Sequence, residues 1–169
     1  MTCGTAKPAH LRVAVLTVAL GLGLLRPDQG VAAEEGPFLE FSGAWRGEGN
    51  VVFSSGAMER IRCQAEYTAE NEGNVLRQAL RCASASYTIE VQAELVHSDG
   101  ALSGTWSEAA NEATGDFSGK ASAGQLQGFV RGSKFAASVA ATITGDQQSV
   151  TIRPEGERVT EVSVQLRKT

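Results

Sequence analysis

The sequence predicts an all-β protein, a single antiparallel up-and-down meander of about 8–10 strands closed into a barrel, and three observations carry that prediction. From Gly43 onward apolar residues recur with period two, turn residues interrupt the pattern every eight to twelve positions, and the apolar set keeps to one face across each turn. A one-residue slip would turn every later strand inside out, so the agreement implies one buried face throughout. Ten consecutive antiparallel strands left open would expose that face and two unpaired edges. Closure into a barrel removes both problems, whereas folding into a two-sheet sandwich, the alternative, removes only the first.

Residues 1–33 read as a signal peptide that precedes the fold. Lys7 and Arg12 stand before an apolar run over 13–25, and Val31-Ala32-Ala33 closes the stretch with small residues suited to a signal peptidase. The run of about 13 residues is short of the roughly 18 needed to cross a bilayer. The expected product starts at Glu34, is periplasmic or secreted, and has no transmembrane segment. Cys3 precedes the apolar run, so it is not placed as the acylated cysteine of a lipoprotein. Residues 34–42 are assigned to an N-terminal tail and 43–169 to the barrel domain.

Strands are predicted over 44–54, 59–68, 75–84, 87–96, 101–108, 113–122, 125–131, 135–144, 149–154 and 159–168. Asp99-Gly100, Ala123-Gly124 and Gly145-Asp146 suit two-residue hairpins, which pair odd with even positions, and the apolar set switches parity across each. The Glu155-Gly156-Glu157 loop preserves parity, and a left-handed Gly156 is expected there. Many inward positions are small, including Gly47, Gly49, Gly104, Gly115, Gly119 and Gly128. Such glycines serve strong curvature or leave room inside.

Cys63 and Cys82 lie equally far from the turn Asn71-Glu72-Gly73-Asn74. Antiparallel pairing about that turn places residues whose numbers sum to 145 opposite each other, so the two cysteines face across one hairpin. An exported chain with this even pair implies a structural disulfide. Its loop of about 18 residues stabilises the fold by about 3 kcal/mol through restriction of the unfolded chain.

Without the leader, acidic residues outnumber basic ones by about six. That balance, with no run of Lys or Arg, excludes nucleic acid as a natural partner and gives no polybasic membrane signature.

Gly43-Ala44-Trp45 opens the first strand and Arg167 sits near the end of the last. This arrangement resembles the calycin barrels of lipocalin and avidin type, in which a G-x-W tryptophan closes one barrel end and a basic residue of the final strand lies against it. The resemblance implies that Gly43, Trp45 and Arg167 close the barrel, with a cation over the indole face. A second Ser-Gly-x-Trp occurs at Ser103 to Trp106. The chain offers neither a helix after the barrel, as lipocalins have, nor two helices after the first strand, as fatty-acid-binding barrels have; the resemblance therefore speaks to architecture. The chain is also similar to periplasmic alkaline-protease inhibitors, small exported barrels with a G-x-W and one disulfide. That likeness implies a tail, residues 34–38, that enters a protease cleft.

No catalytic constellation emerges from the sequence, which makes a non-enzyme the expected class. His97 is the sole histidine after the leader and stands beside a turn, and the cysteines are spoken for. No metal site and no cofactor are expected. Strand carboxylates such as Glu66, Glu90, Glu94 and Glu161 have outward parity, as do Arg60, Arg62, Arg77 and Arg81, which crowd two adjoining strands. Tyr67, Tyr87, Trp106 and Phe117 have inward parity and are the candidate ligand-binding residues. The expected function is a non-enzymatic exported binding protein that holds a small apolar ligand in the barrel. The alternative is a protein-interaction module, such as a protease inhibitor, whose partner protein meets the tail. Intact-mass measurement of the exported protein is expected to give the polypeptide 34–169 less two hydrogens; a mass that retains the leader, or two free thiols, would overturn the compartment and bridge together.

Overall fold

The computed structural model describes Met1 and residues 35–156 and 158–169; the expected signal peptide otherwise lies outside the described residues. A short 3-10 turn, Leu39–Phe41, leads into ten strands: β1 (Gly43–Phe53), β2 (Met58–Glu70), β3 (Val75–Ala83), β4 (Thr88–Ser98), β5 (Ala101–Glu108), β6 (Ala113–Ser122), β7 (Gln125–Gly132), β8 (Ala136–Thr144), β9 (Gln147–Pro154) and β10 (Val159–Lys168). Each strand pairs with its sequence neighbours, and β1 pairs with β10 to close the barrel. Every backbone edge is thus satisfied, which is why a meander with one apolar face closes.

The turns set the register. Asp99 and Gly100 both have positive φ, 51° and 78°, the condition for a two-residue hairpin turn whose twist matches its strands. The pairs Ser98 with Ala101, Ser122 with Gln125, and Thr144 with Gln147 close the three two-residue hairpins. Parity also survives the β9–β10 loop, since Val162 pairs with Ile152. Gly156, however, lies outside the left-handed region. With β9 ending at Pro154 and β10 starting at Val159, as the predicted strand bounds have it, the connection spans residues 155–158 and not only the three-residue loop expected at 155–157.

The β2–β3 hairpin has the register that the cysteine symmetry implies. Cys63 stands opposite Cys82, Ala65 opposite Leu80 and Ala69 opposite Leu76, and the Cys63–Cys82 disulfide joins two strands whose Cα atoms are 4.1 Å apart. Asn71, Glu72 and Gly73 all adopt positive φ, so the turn coils tightly before Asn74.

Inward glycines settle how the barrel closes. A Cβ on Gly47 or Gly49 would collide with the carbonyl oxygen of Gln165 or Ser163 on β10, and one on Gly115 or Gly119 with that of Arg131 or Gln127 on β7. At both places the neighbouring strand folds sharply over the glycine, which a side chain would forbid. β1 and β6 stand five strands apart in the ring of ten. These close approaches lie on opposite sides of the ring and separate two walls, or layers, β2–β5 and β7–β10. Curvature, not spare room, is what these glycines supply.

One end of the barrel is plugged. The segment expected to stand free as a tail runs across the mouth instead: the backbone N–H groups of Gly36 and Phe38 donate to the carbonyls of Glu72 and Gly73 in the β2–β3 turn. At its other end Glu40 lies against Gly124 of the β6–β7 turn. Phe38 and Phe41 are 0% and 1% exposed, and Phe41 packs edge-on against Tyr67 with ring centroids 6.0 Å apart. Trp45 is fully buried beneath them and its indole Nε1–H donates to the Phe41 carbonyl at 2.7 Å. A tail destined for a protease cleft would first have to abandon this burial.

The cation on Trp45 is Lys168, not Arg167. β1 and β10 pair Trp45 with Lys168, which puts even-numbered residues of β10 inside and Arg167 outside beside Arg46. Lys168 Nζ sits 5.4 Å from the Trp45 ring centroid, whereas Arg167 reaches outward to Asp146 at 3.6 Å. Gly43, with φ of 119°, is where the Lys168 stem passes; a Cβ there would lie 2.8 Å from Lys168 Cε. The barrel-closing role expected of Gly43 and Trp45 thus has a mechanical basis. Removing the plug's anchor tests its weight: Phe38→Ala is expected to lower the unfolding free energy by about 3–5 kcal/mol in a urea titration, and an unchanged midpoint would mean that the segment rests on the barrel without closing it.

Candidate functional site

Burial divides the interior into two unequal halves. Around the plug the inward side chains Leu76, Leu95, Leu102, Leu126, Ile143 and Leu166 are all buried. Toward the opposite end Val51, Ile61, Ala113 and Ala137 are also buried, but a group of inward aliphatics is only half-buried: Leu80, Ile89 and Val91 on one side, Val139, Val150 and Ile152 on the other. Period two fixes these side chains on the inner face. Together they make an apolar, incompletely filled stretch of the inner wall, the slot, toward the β3–β4, β5–β6 and β9–β10 loops.

Trp106 of β5 stands at one side of this slot. Its cross-strand neighbours on the inner face are Ala93 of β4 and Gly115 of β6, both small. Gly132 of β7 makes space for the six-membered ring, since a Cβ there would lie 2.8 Å from Trp106 Cζ2. Phe135 closes edge-on over the indole with ring centroids 6.0 Å apart. Trp106 is 9% exposed, and its Nε1–H is the one buried side-chain donor or acceptor among the described residues without a hydrogen-bond partner. A buried donor left unpaired costs about 1–3 kcal/mol.

Glu108, two residues further along β5, shares the inward parity and is buried. Its carboxylate accepts from the backbone N–H groups of Glu90, Ala110 and Asn111 and from the Asn111 side chain, at 2.7 to 3.1 Å. Burial pushes the carboxyl up, but these donors outweigh it and hold the group below the usual carboxylate range. It ties the β5–β6 loop to β4 as an ionised strut. Its even position on β5 is the sequence signal for an inward carboxylate.

The other expected ligand-binding residues lie elsewhere. Tyr67 is buried under the plug, where its hydroxyl is 3.4 Å from Gln148 Oε1. Gln148 is 1% exposed and has the inward parity of β9, although as a lone polar residue it drew no notice in the sequence. Phe117 is core, its ring filling the space that Gly128 vacates. Tyr87 is 37% exposed because β4 begins one residue later, at Thr88, and leaves the tyrosine in the turn. Of the four candidates the structure brings only Trp106 to the slot.

His97 and the crowded outer arginines of β2 and β3 are structurally engaged. His97 Nδ1 lies 3.0 Å from Asn74 Oδ1, which braces the β2–β3 turn. Arg60 and Arg62 pair with Glu48, Arg77 with Glu70 and Glu94, and Arg81 with Glu90, at 2.7 to 3.4 Å. The outer arginines therefore do not form a bare cationic surface. Two open troughs on the outer wall, of about 450 and 410 Å³, are lined chiefly by outward side chains such as Arg46, Arg62 and Arg81, or Lys120, Ser138 and Arg153. They are shallow and open to solvent. Among the described residues no group of three His, Cys, Asp or Glu is placed to hold a metal, and no helix is long and apolar enough to cross a membrane.

A ten-stranded meander, closed at one end by a tryptophan and a final-strand cation and open at the other, is a calycin-like β-barrel. No protein-family model matches the chain, and no curated protein sequence matches it. Among solved structures it is similar to the S-type phycobiliprotein lyase CPES from Guillardia theta, with a TM-score of 0.55 and 13% identity over 78% of this chain and 90% of that one. At that identity what the two share is the fold.

Tyr67 offers a pH test of the plugged end. Burial pushes its hydroxyl up to about 12, with the Gln148 hydrogen bond a smaller opposing influence. A phenol that ionises later in the folded than in the unfolded chain loses stability as pH rises through the unfolded value near 10 toward 12. Between pH 9 and 11.5 the wild-type protein is expected to lose about 2 kcal/mol more unfolding free energy than Tyr67→Phe; parallel losses in the two proteins would show that the phenol is solvated.

Proposed function

We propose that this protein is an exported, non-enzymatic binding protein that holds a small, largely apolar ligand between the two layers of its barrel. One observation carries the reading: away from the plug six inward aliphatic side chains, Leu80, Ile89, Val91, Val139, Val150 and Ile152, are only half-buried, whereas those around the plug are buried. A protein that merely needed a core would gain by filling that space, since apolar burial is worth about 25 cal/mol per Å². An apolar slot entered from one end is the common form of a small-molecule site. The calycin-like fold is compatible with such a site, and the lyase similarity contributes the fold alone to the argument.

The non-enzymatic part rests on what lies around the slot. Trp106 and the aliphatic walls bring no nucleophile, and Glu108 has its oxygens engaged by four donors. Export rests on the leader-like sequence of residues 1–33 and on the Cys63–Cys82 bridge, which suits an oxidising compartment. Since Phe38 is buried in the barrel, the inhibitor reading through a free tail draws no support from the geometry.

N-phenyl-1-naphthylamine, a neutral apolar fluorophore, tests the site. The wild-type protein is expected to bind it with saturating fluorescence gain. Val150→Trp, which fills the slot, should abolish binding, and Thr151→Trp on the outer face should leave it intact. Equal binding by all three would place the probe outside the barrel and end the proposal.

A further inference from the structure

The slot has one unused polar group, and its surroundings narrow what the ligand can be. Trp106 Nε1–H is buried and without a partner, whereas the indole of Trp45, equally enclosed, donates to the Phe41 carbonyl at 2.7 Å. The contrast matters because buried indole N–H groups normally find an acceptor. Its ring is clamped between Gly132 and Phe135, so the donor direction is set before any ligand arrives. Small neighbours, Ala93 and Gly115, flank it in the cross-strand row. The half-buried walls of Leu80, Val91, Val139 and Val150 begin beside them.

Resting on the slot reading above, we propose that Trp106 Nε1–H is the anchoring donor for the ligand, and that the ligand is a neutral apolar molecule carrying a carbonyl or ether oxygen at the end that reaches Trp106. An acceptor is required because the group presented is a donor only. Neutrality follows from Glu108, whose Cα lies about 7 Å from that of Trp106 along β5. Its carboxylate is ionised and inward, and a second anion brought beside it into an apolar slot would meet repulsion that little solvent screens. A rigid ring with one aimed donor binds such an oxygen with little loss of conformational freedom.

A matched set of naphthalenes tests this. The ketone 6-propionyl-2-(dimethylamino)naphthalene carries the acceptor, 6-propyl-2-(dimethylamino)naphthalene lacks it, and 6-(dimethylamino)-2-naphthoate replaces it with an anion. Wild-type protein is expected to bind the ketone about five- to tenfold tighter than the propyl compound, and the naphthoate more weakly than the ketone. Trp106→Phe, which keeps an aromatic ring and removes the N–H, should bind ketone and propyl compound alike. In the wild-type protein the Trp106 indole N–H resonance should move downfield with the ketone and not with the propyl compound, a readout that needs no variant to fold. A ketone preference that survives Trp106→Phe, or an indole resonance that responds equally to both, would overturn the donor role while leaving the slot standing. Preference for the naphthoate would overturn neutrality. Failure of the wild-type protein to bind any of the three would instead remove the slot itself.

Discussion

The whole molecule depends on a parity constraint. A β-strand exposes alternate residues to opposite faces, so each connection must contain the number of residues that returns the apolar set to the inside. Two-residue turns at 99–100, 123–124 and 145–146 do this by switching parity, and the β9–β10 loop by preserving it. Nine connections obey the rule in concert, and only then can β1 meet β10 with Val51 against Val162 and Gly47 against Leu166 on one inner face. Closure is the consequence of agreement among turns.

Within that frame, the two ends of the barrel are stabilised by different means. The plugged end is a dry aromatic stack of Phe38, Phe41, Tyr67 and Trp45, with its few polar atoms paired internally. The open end is tied by its loops: Glu108 gathers the β5–β6 loop, and the Cys63–Cys82 bridge clamps β2 to β3 partway along the wall. Rigid walls with a dry floor leave the intervening slot apolar without letting it collapse.

That division explains why aromatic residues of identical parity have different roles. Tyr67, Trp106 and Phe117 all point inward, yet Tyr67 lies under the plug, Phe117 fills the space above Gly128, and Trp106 borders the slot. Height along the barrel decides among them. It depends on how far each strand is staggered against the next, a quantity that accumulates around the ring.

Much of this fold was legible in the residues: the strand count, the hairpin register about Asn71 to Asn74, the facing cysteines and the single buried face all follow from period two and turn chemistry, which are local. Gln148 and Glu108 were within reach of the same parity argument. The choice of Lys168 over Arg167 was also within that reach, because the even set Val162, Val164 and Leu166 puts Lys168 inside and Arg167 outside; that Lys168 meets Trp45 required the register between the first and last strands, which no turn connects. Nor could the sequence show that residues 35–41 double back as a plug, or which inward glycines admit a close strand, as Gly47 and Gly49 do, and which make room for an aromatic ring, as Gly128 and Gly132 do. Those outcomes depend on contacts between residues far apart in the chain. Local physics determined which side of each strand is inside, and only the assembled barrel decided what each inside residue would touch.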